Sequence, residues 1–248
     1  MTTHTTGRLS TAIFVLALAH AGTCAARDTE TRDLSGFHSV KVGGGVNLVV
    51  QQGSDYQVTV ATSGGELEDL HTEVKQDVLV ISRDPSSSFF TRFLMQGLRA
   101  FISGDKQFTV TIVSPALNDI IASGGSNVRI PAEFTGDSLS IRASGGSDVS
   151  FNGKVKQLSI TNSGGSDVTL RGSAEHIDLD ISGGSDVLGL REFEATDAVV
   201  NASGGSDVTI RATHSLKVTA SGGSDVIYTG KPEITDFKNS GGSSIHRR

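Results

Sequence analysis

Five carboxylates recur at one phase of a repeat: Asp148, Asp167, Asp186, Asp207 and Asp225. Each occupies the fifth position of a hexad, Ser-Gly-Gly-Ser-Asx-Val, that starts at Ser123, Ser144, Ser163, Ser182, Ser203 and Ser221. A variant, SGGSSI, starts at Ser240. If the repeats stack, these acids form a ladder whose uncharged ends are Asn127 and Ser244. Calcium is the cation such oxygens suit, but it takes six to eight oxygen ligands and each unit brings one hexad carboxylate. Calcium-binding β-rolls repeat every nine residues with a third glycine, whereas here the step is 18 to 21 residues and serine stands in that place. The ladder is therefore a weak cation candidate, and no specific metal or cofactor is expected.

Catalytic chemistry needs a singular constellation, such as paired carboxylates or acids beside a base. The sequence offers copies instead. Arg171, Arg191 and Arg211 recur near the ends of equivalent strands and suit pairing with acidic neighbours. His38, His71, His176, His214 and His246 are scattered in polar contexts and read as surface residues. Ser-Gly-Gly-Ser is not the G-x-S-x-G of a nucleophile elbow, and its glycines open no helix that would cradle phosphate. A non-enzyme is expected. The alternative is a polysaccharide-active lyase or hydrolase, which a non-repeated acidic and basic cluster in one groove would favour.

The elements that position these residues are strands. In Ser166–Ile181 (SDVTLRGSAEHIDLDI) Val168 and Leu170 alternate with polar residues, Gly172-Ser173 marks a turn, and Ile177, Leu179 and Ile181 alternate with Asp178 and Asp180. Period-two alternation in short runs bounded by Gly and Ser predicts strands. Copied hexads favour a solenoid, because stacking about 4.8 Å apart gives every copy the same environment. Val128, Val149, Val168, Val187, Val208 and Val226 then point inward in one column, with the hexad serines inward and the aspartates outward. Seven coils give a rod of roughly 30 Å.

The first half, residues 33–122, is less regular. Strands are expected at Phe37–Val42, Val46–Val50, Tyr56–Val60, Val78–Ile81 and Phe108–Ile112. Between the last two, Asp84–Gln107 places Phe89, Phe90, Phe93, Leu94, Leu98 and Phe101 at helical spacing. A lid over the solenoid core is expected there; the alternative is a helix that contacts a membrane or partner.

The N-terminus reads as a secretory signal: one positive charge before the apolar run Leu9–Ala19 (LSTAIFVLALA), too short to span a bilayer, then small residues. Cleavage after Ala26 leaves 27–248 as one β-solenoid domain; cleavage after Ala21 and lipidation at Cys24, the only cysteine, are the alternatives. No later stretch reads as a transmembrane helix. The net charge of −6, from 21 basic and 27 acidic residues, argues against nucleic acid, which needs clustered Lys and Arg.

Three features resemble the putative auto-transporter adhesin head GIN domain family of bacterial exported proteins. They are Phe37-His38-Ser39-Val40 with Gly45-Val46-Asn47-Leu48-Val49 and the turn Gln51-Gln52-Gly53; Ser114-Pro115-Ala116-Leu117 running into the first Ser-Gly-Gly; and the chain of Ser-Gly-Gly-Ser-Asp units. Together they span about Asp33–Ile245. The resemblance implies an all-β, right-handed parallel β-helix, and the hexad spacing gives it coils of about 19–21 residues. It also implies location in the periplasm, on the outer membrane surface or outside the cell, with an adhesive or scaffolding role toward an envelope or extracellular ligand, protein or glycan. The family supplies no catalytic residues, and Asp84–Gln107 is not part of its pattern.

Overall fold

The computed structural model describes residues 28–83, 107–189 and 192–248. The signal segment, Cys24, Arg191 and all but the last residue of the Asp84–Gln107 insertion fall outside the described residues.

Every strand joins one stack. From Ser123 onward the chain winds as expected. The strands are β8 (Asp119–Ala122), β9 (Asn127–Arg129), β10 (Phe134–Ser144), β11 (Asp148–Ser163), β12 (Asp167–Ser182), β13 (Asp186–Leu188), β14 (Phe193–Ala202), β15 (Asp207–Ala220), β16 (Asp225–Thr229), β17 (Glu233–Asn239) and β18 (Ser244–Arg247). All their mutual pairings are parallel. Val128, Val149, Val168, Val187, Val208 and Val226 pair in sequence and end on Ile245. The six valines are at most 2% exposed. Burying one such side chain stabilises by about 1.5–3 kcal/mol, so the column is a spine of the fold. A second column runs Ile120, Ile141, Ile160, Leu179, Val200, Val218.

The corners explain the copied hexads. In four hexads the second serine closes its own turn: the hydroxyls of Ser126, Ser147, Ser206 and Ser224 donate to the carbonyls of Ser123, Ser144, Ser203 and Ser221 at 2.8–3.0 Å. Others bridge coils. Ser166 Oγ accepts from the Ser147 N–H at 3.0 Å, and Ser185 Oγ from the Ser166 N–H at 3.3 Å. These serines are fully buried, yet satisfied. The first glycine is dictated by both conformation and space. Gly204 has φ +82°, and a Cβ there would lie 2.6 Å from the Gly183 carbonyl oxygen of the coil before.

The first part departs from a simple spiral. Its strands are β1 (Asp28–Arg32), β2 (Ser39–Val42), β3 (Asn47–Gln52), β4 (Gln57–Ser63), β5 (Leu70–Lys75), β6 (Val78–Arg83) and β7 (Gln107–Ser114). β2 lies between β6 and β8, and β3 between β7 and β9, all parallel. The coil β6–β7 is thus stacked on the outer side of β2–β3 although it follows it in sequence, and the chain then steps past β2–β3 to start β8. β4 pairs antiparallel with β7, β1 with β4, and β5 with β6. These three strands close the N-terminal end of the stack, and the parallel coils expected over Ser123–Ile245 run on from it. Arg32 fastens the cap through Leu70 O at 2.8 Å, Thr72 Oγ1 at 2.7 Å and Leu67 O at 3.0 Å.

β6 and β7 keep the register of the coils beside them. Ile81 pairs with Val42, which pairs with Ala122; Thr109 pairs with Asn47, which pairs with Asn127. β6 and β7 thus flank, in their coil, the position where the neighbouring coils carry a Gly-rich corner.

Candidate functional site

The outward side of the stack carries two kinds of feature: regular ladders and one irregular cluster. The aspartate ladder is in register as expected, Asp148 with Asp167, then Asp186, Asp207 and Asp225, flanked by Asn127 and Ser244. Asp186 Oδ1 accepts the Asp207 N–H at 3.2 Å, and Asp225 Oδ1 accepts from the Ser244 hydroxyl. Partial burial, then repulsion from Asp186 and Asp225, pushes the Asp207 carboxyl above its ordinary value. Among the described residues, no three His, Cys, Asp or Glu side chains are grouped to hold a metal ion.

The two described arginines of the three, Arg171 and Arg211, pair as anticipated. Arg171 meets Glu192, and Arg211 meets Glu194 at 2.9 Å. Further inter-coil pairs join Lys154 to Glu133 at 3.1 Å, Lys156 to Asp137 at 2.7 Å and Arg142 to Asp119 at 3.0 Å.

The irregular cluster lies on a second corner. Inside–outside alternation breaks at Lys156-Gln157, Glu175-His176 and Thr196-Asp197, where consecutive side chains leave the core and the strands bend. Gln157, His176, Asp197, Ser215 and Glu233 follow one another in register along this ridge. Between Ala195–Asp197 and Ala212–Ser215 the register slips, so β15 carries one residue more than β14. Such a bulge re-aims a side chain, and here it brings His214 beside Asp197. Asp197 accepts from His214 Nδ1 at 2.7 Å and Ser215 Oγ at 2.5 Å on one oxygen, and its other oxygen lies 3.2 Å from His176 Nδ1.

These partners shift one another's titration. The Ser215 and then the His214 hydrogen bond hold the Asp197 carboxyl below its ordinary value. The Asp197 carboxylate in turn holds His214 above the ordinary histidine value. Beside the ridge runs a groove of about 400 Å³, bordered by His176, Asp178, Asp197, Val199, Ser215 and Lys217. On its other flank lies a wider groove of about 600 Å³, bordered by Asp137, Lys154, Lys156, Glu175 and Glu194.

The expectation of isolated surface histidines thus holds for exposure but misses the pairing of His176 and His214 across Asp197. The uneven hexad steps, 21 residues before Ser203 and 18 after it, were the only sign that coil lengths change there.

The cluster differs from two familiar catalytic arrangements. A serine nucleophile needs a base on its hydroxyl, but Ser215 donates to a carboxylate already engaged by an imidazole. A glycosidic general acid needs a raised carboxyl, and Asp197 is lowered. What the ridge offers is a fixed row of polar donors and acceptors beside a shallow groove.

Fold and site together define an all-β solenoid with laddered polar faces and a grooved flank. The sequence matches the family described as putative auto-transporter adhesin, head GIN domain, over residues 36–232, and the chain belongs to that family. No curated protein matches it. Solved structures share the fold. A putative adhesin from Bacteroides fragilis NCTC 9343 is 23% identical with a TM-score of 0.75, covering 90% of this chain and 97% of that one. A putative lipid binding protein from Parabacteroides distasonis ATCC 8503 is 17% identical with a TM-score of 0.67, over 90% and 96%. A putative adhesin from Parabacteroides merdae ATCC 43184 is 18% identical with a TM-score of 0.65, over 90% and 96%. Among the described residues, no helix is long and apolar enough to cross a membrane.

Proposed function

We propose that this chain is an exported, non-catalytic binding module, adhesin-like or scaffolding, whose ligand is an envelope or extracellular glycan or protein. The observation that carries the reading is the ridge. Asp197, lowered by hydrogen bonds from Ser215 and His214 and with His176 close by, stands next to a groove open to solvent, an arrangement suited to hydrogen-bonding a polar ligand. Family membership agrees with it, and the N-terminal apolar run with its small-residue cleavage sites supports export.

The test is binding of purified protein to isolated envelope polysaccharides and to intact cells, comparing wild type with Asp197→Asn and Lys217→Ala. Retention that weakens in both variants supports the reading. Retention unchanged by either places binding elsewhere on the molecule.

Polysaccharide cleavage is the second reading, since a non-repeated cluster of acids, histidines and Lys217 does lie in one groove. Release of oligosaccharides from those same polysaccharides, lost in Asp197→Asn, would establish it.

A further inference from the structure

The two ends of the stack are finished differently. The N-terminal end is sealed by antiparallel β1, β4 and β5. At the other end, among the described residues, β17 pairs only with β15 and β18 only with β16. The column Ile120, Ile141, Ile160, Leu179, Val200, Val218 runs out at Phe237. Phe237 is 38% exposed, and Ile234 on the same strand is 40% exposed. Phe237 is held edge-on against Tyr228, ring centres 5.7 Å apart, so its ring is placed by the core while part of it lies bare.

We infer that a second copy of this chain docks on β17, antiparallel, with a two-fold axis at Phe237. The backbone phase permits it. Ser240 donates its N–H to Ala220 O at 3.0 Å, toward β15. By alternation Asp236 and Lys238 also face β15, and Phe237 and Asn239 turn their N–H and C=O groups to the free edge. Two copies of Phe237 can therefore exchange both hydrogen bonds and meet on the inner face.

The charges select the same register. Asp236 and Lys238 stand on the outer face, 2.9 Å apart within the chain. A two-fold axis at Phe237 sets Asp236 of one copy opposite Lys238 of the other, twice over. An axis at Asp236 or at Lys238 would oppose like charges. An axis at Thr235 would oppose Asp236 to Ile234, and one at Asn239 would oppose Lys238 to Ser240. Opposite charges directly across an antiparallel pair stabilise it, and like charges destabilise it.

Sedimentation equilibrium of the purified protein, over a concentration series reaching about 100 μM where weak specific interfaces register, is the test. A monomer–dimer equilibrium is expected. Lys238→Asp turns both cross-copy pairs repulsive and should weaken dimerisation by roughly tenfold or more. The exchanged double variant Asp236→Lys/Lys238→Asp should restore it. Both side chains are solvent-facing, so circular dichroism should show folded protein in each variant. A monomer at every concentration would overturn the inference and leave Lys238 as a charge that guards the edge against pairing. A dimer indifferent to Lys238→Asp, or one that the double exchange fails to restore, would overturn it as well.

Discussion

His214 Nδ1 lies 2.7 Å from Asp197 Oδ1 across two neighbouring coils, and each residue shifts the other's titration. The two shifts give opposite pH limits. Asp197 is depressed, so its contribution is present above the ordinary aspartate pKa and is lost as pH falls through its folded value. His214 is raised, so its contribution is present below the ordinary histidine pKa and is lost as pH rises through its folded value. Both operate together between about pH 4 and 6.5. The melting temperature of wild type minus that of Asp197→Asn should peak in that window and shrink at pH 3 and pH 9. A difference independent of pH would show that the pair contributes nothing through charge.

Val187 and Asp186 adjoin in sequence and face opposite ways. Val187 is fully buried between Val168 and Val208, so Val187→Asp buries an unpaired carboxyl and should cost several kcal/mol or open the coil. Asp186→Asn keeps the oxygen that accepts the Asp207 N–H and should change stability by less than about 0.5 kcal/mol. Thermal melts of the two variants decide the inside–outside assignment: greater damage from Asp186→Asn would reverse it.

Asp207 is raised by burial and then by its neighbours in the ladder. A carboxyl with a raised folded pKa weakens the fold above that pKa, and the penalty disappears as pH falls below it. Asp207→Asn should therefore melt higher than wild type at pH 7 and lose its advantage below pH 4. If calcium raises the wild-type melting temperature and Asp207→Asn abolishes the rise, the ladder is a cation site after all.

Neighbouring glycines at one corner should respond differently to alanine. Gly204→Ala forces a Cβ to within 2.6 Å of the Gly183 carbonyl oxygen at φ +82°, and should cost about 2–4 kcal/mol. Gly184 has neither a positive φ nor an atom within 4 Å of its would-be Cβ, so Gly184→Ala should be neutral or slightly stabilising, by up to about 1 kcal/mol. Urea melts at equal m-value compare them; equal losses would contradict the stacking of these corners.

The valine spine and the aspartate ladder were legible in the sequence because identical residues recur at a fixed phase and period two assigns their faces. The antiparallel cap was not, since strands such as Gln57–Ser63 alternate in the same way whether the neighbour runs parallel or antiparallel. The placement of β2–β3 between β6–β7 and β8–β9 was hidden for a related reason: stacking order leaves no mark on local pattern. The Asp197 ridge was missed because a bulge in β15 moves His214 out of phase, so no repeat alignment pairs it with His176. Buried Asn162 was missed too. It stands where the next two coils carry Ile181 and Ala202, and its amide bonds Ser166 O at 2.6 Å and Asp186 O at 3.1 Å.

Export to a binding role is the claim on which the functional account turns. Its most direct test is fractionation of expressing cells, followed by intact mass and N-terminal sequence of the recovered protein. The account predicts a chain that begins at Arg27 and partitions with periplasmic, outer-membrane or extracellular material. A start at Gly22, or a lipid-modified Cys24, would move the boundary and keep the compartment. A cytoplasmic chain that retains its first 26 residues would contradict it.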